Sequence, residues 1–328
     1  MEDLAAKVIE YEFHPMDYFR AITVMNHLPR WMAAAITLTS IADASISIQS
    51  FTAVTNDRFA NNPSFVGTGY DWSGVGRDSA GHWVTMITPN VFLSATHFHP
   101  GSPGTGIGTD VTFYPGNDPS APSVSGVVAG AQQIGGTDLW IGYLANALPS
   151  SIAHYSTITI PISSLTFATS GLAGASTFMS GNSVTDTGYG AVTATDYAVG
   201  TNVVEGLFTN VSYGGSTGDT LVTARNQSGD NIYGFTMTTS EAQLTPGDSG
   251  SPMMVTSGGN LYVAGIAWLI GTYDIASGPT VATRDISLYT YTGNYDTAIQ
   301  NYIALYSVPE PSVLMLFAGM AVFIRRRR

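Results

Sequence analysis

The feature that most constrains the fold is a dense series of short β-prone runs between about Ser47 and Ser307. The runs are bounded by Gly, Pro, Asn or Asp, which form turns. Examples are HWVTMIT, VTFYPG, TFATSG, NVVEGLFTNVSYGG, NIYGFTMTT and LYVAGIAWLIG. The 36 glycines and 17 tyrosines add to this bias toward strands and turns. Short strands at this density favour an all-β barrel or sandwich over βαβ units.

One helix is predicted close to the end of the β-rich region, over the run DTAIQNYIALYS. Asp296 is a suitable N-cap residue, because its carboxylate can accept hydrogen bonds from the first free amides. Ile299, Tyr302, Ile303 and Tyr306 fall on one face at helical spacing. We therefore expect a short C-terminal helix that packs one side against the β-structure.

The charge distribution argues against one class of partner. The 328 residues suffice for one large all-β domain or two smaller barrels, and the formal net charge is −12. Between residues 45 and 308 there is no lysine, and the basic residues are Arg58, Arg77, Arg225 and Arg284. Such a surface has no basic patch for phosphates, so nucleic acid is not expected as a partner. Because there is no cysteine, disulfides, thiolate metal sites and a cysteine nucleophile are excluded.

The segment MNHLPRWMAAAITLTSIADAS has the layout of a secretory signal peptide. Arg30 supplies the basic start, residues 31–41 the apolar stretch and residues 42–44, Ala-Asp-Ala, the cleavage site. The acidic residues upstream do not suit a signal, so we expect translation to begin at Met25 or Met16. An amphipathic first helix is the alternative, but the apolar run is too continuous for one. The sequence predicts export.

The C-terminus carries Pro309-Glu310-Pro311, an apolar run over residues 312–324 and four terminal arginines. As a helix the run is about 20 Å long, and the arginines place its end in the cytoplasm. This three-part order resembles the PEP-CTERM sorting signal of Gram-negative bacteria. The resemblance implies transient anchoring in the inner membrane and processing by an exosortase. The product would be periplasmic, surface-bound or extracellular. A plain C-terminal membrane anchor is the alternative, with the same topology.

Three further segments carry candidate catalytic residues. VFLSATHFHP places His97 at the end of an apolar strand, GGTDLWIGYL places Asp138 at the start of one, and TPGDSGSP contains Ser249. This order and these contexts resemble the chymotrypsin-like (trypsin-like) serine proteases, from about Phe51 to Tyr306. The most specific match is Gly-Asp-Ser-Gly-x-Pro, over residues 247–252.

The resemblance implies two perpendicular six-stranded β-barrels with a short C-terminal helix. It also implies a peptide-hydrolysing serine enzyme that needs no metal or other cofactor and acts on polypeptides. His97 would act as general base toward Ser249, and Asp138 would hold the imidazole. The backbone N–H groups of Gly247 and Ser249 would form the oxyanion hole.

The same resemblance marks a substrate pocket. Gln243, six positions before the serine, stands where the family often sets charge preference, so a preference for Lys or Arg is not expected. Trp268 and Leu269, in the run from Ala264 to Gly271, would form an apolar pocket wall. This strand would pair with the substrate backbone by strand addition. The preferred side chain is left open.

Alternative roles exist for several of these residues. His97 and His99 could form an H-x-H metal pair, because alternate strand residues share one face. That site needs a third ligand from His82, His154 or an aspartate, and no spacing indicates one. Ser249 and His97 could also be ordinary turn and core residues.

Asp110 competes with Asp138 for the carboxylate role, since both follow Gly-Thr. Asp138 fits the family position better, because an apolar strand follows it. The chain lacks the Ile-Val-Gly-Gly-like terminus whose amine, in some relatives, pairs with the aspartate before the serine. Asp248 therefore needs another partner, and we expect it to support the turn.

Two function classes remain open besides the endopeptidase. A non-catalytic surface or extracellular-matrix protein could use the same fold for binding, and an esterase could use the same triad. A Ser-based α/β-hydrolase is disfavoured, because Ser249 lacks a Gly-x-Ser-x-Gly context, the order of the three residues is wrong for that fold, and alternating helices are absent. The predicted organisation is an N-terminal extension and signal peptide (1–44), a first barrel (45–150), a second barrel with the terminal helix (151–307) and the sorting segment (308–328).

Overall fold

The computed structural model describes residues 46–183, 197–227, 237–277 and 280–307, and the backbone alone at 21–22, 36–37, 274–277 and 280–282. The first elements are short: strands β1 (Ala21–Ile22), β2 (Ile36–Thr37) and β3 (Ser47–Ile48), helix α1 (Ala53–Asn56) and a 3₁₀ turn at Arg58–Ala60. Strand β3 packs against the core of the second of the two β-units described below, although it precedes the first in sequence.

The first β-unit is a closed barrel in which the strand order is β4-β5-β6-β9-β8-β7. Its strands are β4 (Val75–Arg77), β5 (Trp83–Met86), β6 (Val91–Ala95), β7 (Asp110–Phe113), β8 (Val124–Gln133) and β9 (Leu139–Leu144). All five residues of β6 are buried, because the strand is paired on both edges and covered on both faces. An apolar run of this kind is typical of a central strand.

The second β-unit is a ten-stranded sheet whose main path is β12-β11-β16-β17-β18-β14-β13. Its strands are β10 (Ser156–Thr157), β11 (Ser176–Gly181), β12 (Ala198–Val203), β13 (Gly206–Tyr213), β14 (Ser216–Ala224), β16 (Pro252–Ser257), β17 (Asn260–Ser277) and β18 (Thr280–Tyr291), with β1 and β2 at one edge. Strand β15 (Ala242–Gln243) pairs separately with β3.

The second sheet curls back on itself, and the described residues form no ladder that closes it. The amide of Asn202, in β12, donates to Ala224 O at the end of β14 and to Ala242 O in β15, at 2.9 and 2.8 Å. Just beyond β12, the Glu205 N–H donates to Val222 O at 2.8 Å. The all-β class, the closed first barrel and the short terminal helix are confirmed. The second unit is a half-barrel whose facing edges are joined by isolated hydrogen bonds.

Two local predictions differ from the structure. Helix α2 spans Asp296–Tyr306, but its N-cap is Tyr295, and Asp296 lies inside the first turn, where it accepts a hydrogen bond from Gln300. The TFATSG run contains a 3₁₀ turn at Phe167–Thr169 instead of a strand. Its Ser and Thr hydroxyls bond to carbonyls three residues back, which stabilises a turn at the expense of a strand.

The remaining organisational calls stay predictions. The proposed domain boundary at 150/151 lies in the connection between β9 and β10. Apart from the two-residue β2, the signal-peptide segment lies outside the described residues, as do the Pro-Glu-Pro triplet, the apolar run after it and the arginine tail. Within the described ranges no helix is long and apolar enough to cross a bilayer.

Candidate active site

The histidine segment leaves the first barrel where β6 ends. Ala95, the last residue of β6, pairs with Leu139 of β9, and the Thr96 N–H then donates to Asp138 O at 2.6 Å. The chain turns immediately, so His97 projects from the barrel and its side chain is 42% exposed. The β6–β9 ladder therefore sets the distance between His97 and Asp138.

Asp138 orients the imidazole of His97 through hydrogen bonds. Its carboxylate is buried, with Oδ2 2.8 Å from His97 Nδ1 and Oδ1 accepting the His97 backbone N–H at 3.1 Å. Burial raises the pKa of Asp138 above its ordinary value, and the hydrogen bonds from His97 oppose this rise. Because a carboxylate accepts at Nδ1, the ring proton belongs there, and Nε2 is left as an acceptor.

Ser249 lies opposite that acceptor, with Oγ 2.9 Å from His97 Nε2. The next residue, Gly250, has φ +87°, and its N–H donates to Ala267 O in β17 at 3.0 Å. A Cβ at Gly250 would lie 3.0 Å from Ser94 Oγ and 3.3 Å from Ala95 N. The serine turn is thus held between β6 of the first barrel and β17 of the second sheet, at a position where the backbone conformation and the close contacts favour glycine.

Two backbone N–H groups in the serine turn have no hydrogen-bond partner in the part of the chain that the structure describes. In the serine turn, the Asp248 N–H donates to Thr245 O at 3.2 Å and the Ser251 N–H to Asp248 O at 3.0 Å. Among the described residues, the N–H groups of Gly247 and Ser249 have no hydrogen-bond acceptor. Gly247 has φ +100°, a conformation that glycine adopts most readily. These two donors are available for an oxyanion beside Ser249 Oγ.

Asp248 is fully buried and supports the turn from behind. Its carboxylate accepts the N–H groups of Asn182 and Thr245, both at 2.8 Å, and the Thr245 hydroxyl at 3.2 Å. Asn182 also donates from its side chain to Gly247 O at 3.4 Å. These donors are the partners of Asp248, for which the sequence provides no N-terminal amine.

The structure separates the rival residues from the triad. His99 is buried, stacks on Trp140 at 4.3 Å between ring centroids and directs Nδ1 to Pro100 O. Asp110 opens β7 with an exposed side chain. His82 is paired with Asp78 at 2.6 Å. No group of three potential metal ligands occurs in the described part of the chain.

The predicted pocket residues are all buried. Gln243 lies in β15 opposite Ser47 of β3. Trp268 is the extra residue of a β-bulge between Ala267 and Leu269, and both Trp268 and Leu269 pack into the core shared by β13, β14 and β18. Their part in substrate selection stays a prediction.

Sequence reasoning missed three residues around this site, Arg77, Asp78 and Asn182, and considered His82 only as a metal ligand. Asn182 belongs to no sequence motif. Its hydrogen-bond partners, Arg77, Gly247 and Asp248, are distant in sequence, so no local pattern indicates them. Arg77 left a signal, because it is one of only four basic residues between positions 45 and 308. A buried cation among so few charges calls for a specific partner.

Comparisons with known proteins add little about activity. No family model matches the chain, and no curated protein matches it in sequence. Among solved structures it is similar to an inactive mutant of the murine norovirus NS6 protease with a C-terminal extension. The identity is 12%, the TM-score 0.37, and the match covers 67% of this chain and 92% of that one. A likeness this distant assigns no activity.

Proposed function

We propose that the protein is a serine endopeptidase that cleaves polypeptides through an acyl-enzyme. The observation that carries the proposal is the continuous contact from Asp138 through both nitrogens of His97 to Ser249, at 2.8 and 2.9 Å. A serine hydroxyl becomes nucleophilic when a base within hydrogen-bond reach is itself oriented by a third group.

In the proposed reaction, Ser249 Oγ attacks the scissile carbonyl while His97 Nε2 takes its proton. Asp138 stabilises the imidazolium that forms and stays ionised. The Gly247 and Ser249 N–H groups receive the oxyanion, and His97 returns the proton to the leaving amine. Water then attacks the acyl carbonyl with His97 again acting as base, which releases the acid and restores Ser249. No cofactor is needed for these steps.

The free edge of β17 is the feature that favours a peptide as the substrate. The Ala267 N–H donates to Ser251 O, which ties β17 to the serine turn, and β16 pairs with β17 no further than Ile266. From Leu269 to Gly271 the strand pairs with β18 on one side. On the other side, no described strand pairs with it before Thr272, which is opposite Thr37. An extended peptide can therefore add to this edge beside the nucleophile.

Export is the second part of the proposal. The signal-peptide and PEP-CTERM-like segments support secretion from a Gram-negative bacterium, transient anchoring in the inner membrane and release or surface transfer by an exosortase. Mass spectrometry of the mature protein should find neither the residues before Ser45 nor the arginine tail. An intact tail in the extracellular fraction would contradict the sorting step.

Labelling with a fluorophosphonate probe tests the enzyme directly. We expect the folded wild type to be labelled, Ser249→Ala not to be, and the control Ser257→Ala, at an exposed serine at the end of β16, to be labelled normally. Parallel assays with casein and with simple esters separate an endopeptidase from an esterase. A folded wild type without label would favour the binding-protein alternative.

A further inference from the structure

Strand β4 ends beside both halves of the candidate site. Its last residue is Arg77, and Asp78 follows directly. Neighbouring side chains along an extended chain point to opposite faces, so one short segment can serve two sites. Both side chains are more than nine-tenths buried.

Arg77 reaches the serine turn through Asn182. Its Nη1 donates to Asn182 Oδ1 at 2.5 Å, and its guanidinium lies over the Trp83 ring, 4.5 Å from the centroid. Asn182 in turn donates its backbone N–H to the Asp248 carboxylate and its side-chain amide to Gly247 O. A cation of the first barrel is thus connected through one asparagine to both residues that precede Ser249.

Asp78 reaches the histidine segment. Its Oδ2 accepts the Gly101 N–H at 3.0 Å and lies 2.6 Å from His82 Nδ1, while Oδ1 accepts the His82 N–H at 2.9 Å. The His82 ring packs edge-on against Phe98, with 4.3 Å between centroids. Phe98 follows His97 directly, so the Asp78–His82 pair supports the loop that presents the proposed base. Although burial opposes it, these hydrogen bonds lower the pKa of Asp78.

We propose that Arg77 and Asp78 are positioning residues that hold the oxyanion turn and the histidine loop in register across the two β-units. This inference rests on the proposed function. Neither side chain contacts the reacting atoms: Arg77 acts through Asn182, and Asp78 through His82 and Gly101. The pair explains why a chain with so few charges keeps a buried cation and a buried carboxylate side by side.

Steady-state kinetics test the proposed role of Arg77. In Arg77→Met we expect kcat to fall by roughly 10²-fold, the effect of a slight misplacement of reacting groups, with KM changed by less than about threefold. Arg77→Lys, which keeps the charge, should recover part of kcat. The matched control is Arg225→Met, directly after β14 and outside this network. A folded Arg77→Met with wild-type kcat would overturn the proposal.

If Arg77→Met does not fold, Asn182→Ala tests the same connection, because it keeps the backbone N–H that binds Asp248. It should lower kcat in the same way. In a folded double variant the two losses should be less than additive, since both break one connection. Fully additive losses would show that Arg77 does not act through Asn182.

A spectroscopic signature tests the proposed role of Asp78 without an activity assay. The proton shared by His97 Nδ1 and Asp138 should give a downfield ¹H NMR resonance that moves or disappears in Asp78→Asn and persists in Arg77→Met. An unchanged resonance in Asp78→Asn would overturn the proposal that Asp78 positions His97. If the wild type hydrolyses no peptide, the proposed function fails, and this resonance still tests whether Asp78 positions His97.

Discussion

The two halves of the candidate site are built in different ways. The His97–Asp138 half follows from one ladder, because Ala95 pairs with Leu139, Asp138 directly precedes Leu139, and His97 lies two residues after Ala95. The Ser249 half is a turn held by hydrogen bonds to distant positions, such as the one from the Asn182 backbone N–H to the Asp248 carboxylate. Ladder geometry fixes the proposed acid–base pair, whereas the proposed oxyanion turn depends on a few buried polar contacts. Substitutions should therefore separate proton transfer from oxyanion stabilisation.

The largest expected effect tests the ladder-built half. Asp138→Asn should lower kcat by roughly 10⁴-fold, because the amide favours the wrong imidazole tautomer. The backbone pairing of β6 with β9 is unaffected, so the variant should remain folded. Peptidase assays at constant enzyme concentration measure the loss. A change of less than tenfold would mean that His97 is oriented by something other than this carboxylate.

The same variant carries a stability prediction. The folded-state pKa of Asp138 is raised, so its carboxyl adds stability only at low pH, and that contribution is lost as the pH rises through the folded-state value. At neutral pH the buried carboxylate opposes folding. Asp138→Asn should therefore unfold at the same or a higher temperature than the wild type at pH 7. Thermal unfolding between pH 4 and pH 8 checks this, and a much lower Tm at pH 7 would contradict it.

An intermediate effect is expected in the turn-built half. Gly247→Ala introduces a Cβ at φ +100°, which strains the backbone and displaces an oxyanion donor. We expect kcat to fall by roughly 10²-fold, the effect of losing one such donor. The His97–Asp138 proton resonance should stay as in the wild type, because the ladder is untouched. Loss of that resonance would show that the two halves are coupled.

The same contrast explains what the sequence could predict. His97, Asp138 and Ser249 each lie in a short motif beside an apolar strand, so a local pattern could propose them together, and the structure places them in contact. Arg77 and Asn182 meet across 105 positions, and no local pattern records such a contact. The half-barrel shape of the second sheet was missed for a similar reason: bonds such as that from Asn202 to Ala224 depend on how the whole sheet curls.

The smallest expected effect tests how redundant the turn contacts are. Thr245→Val removes the hydroxyl that lies 3.2 Å from Asp248 but keeps the shorter backbone N–H bond to the same carboxylate. One lost hydrogen bond to a charged group corresponds to about 1.5–3 kcal/mol at most, and the remaining donors to Asp248 reduce that. We expect kcat to fall less than about fivefold, with Tm lowered by a few degrees. Steady-state kinetics and calorimetry measure both, with Thr245→Ser as the control that keeps the hydroxyl. A loss as large as that of Gly247→Ala would mean that the turn depends on every donor to Asp248 and has no reserve.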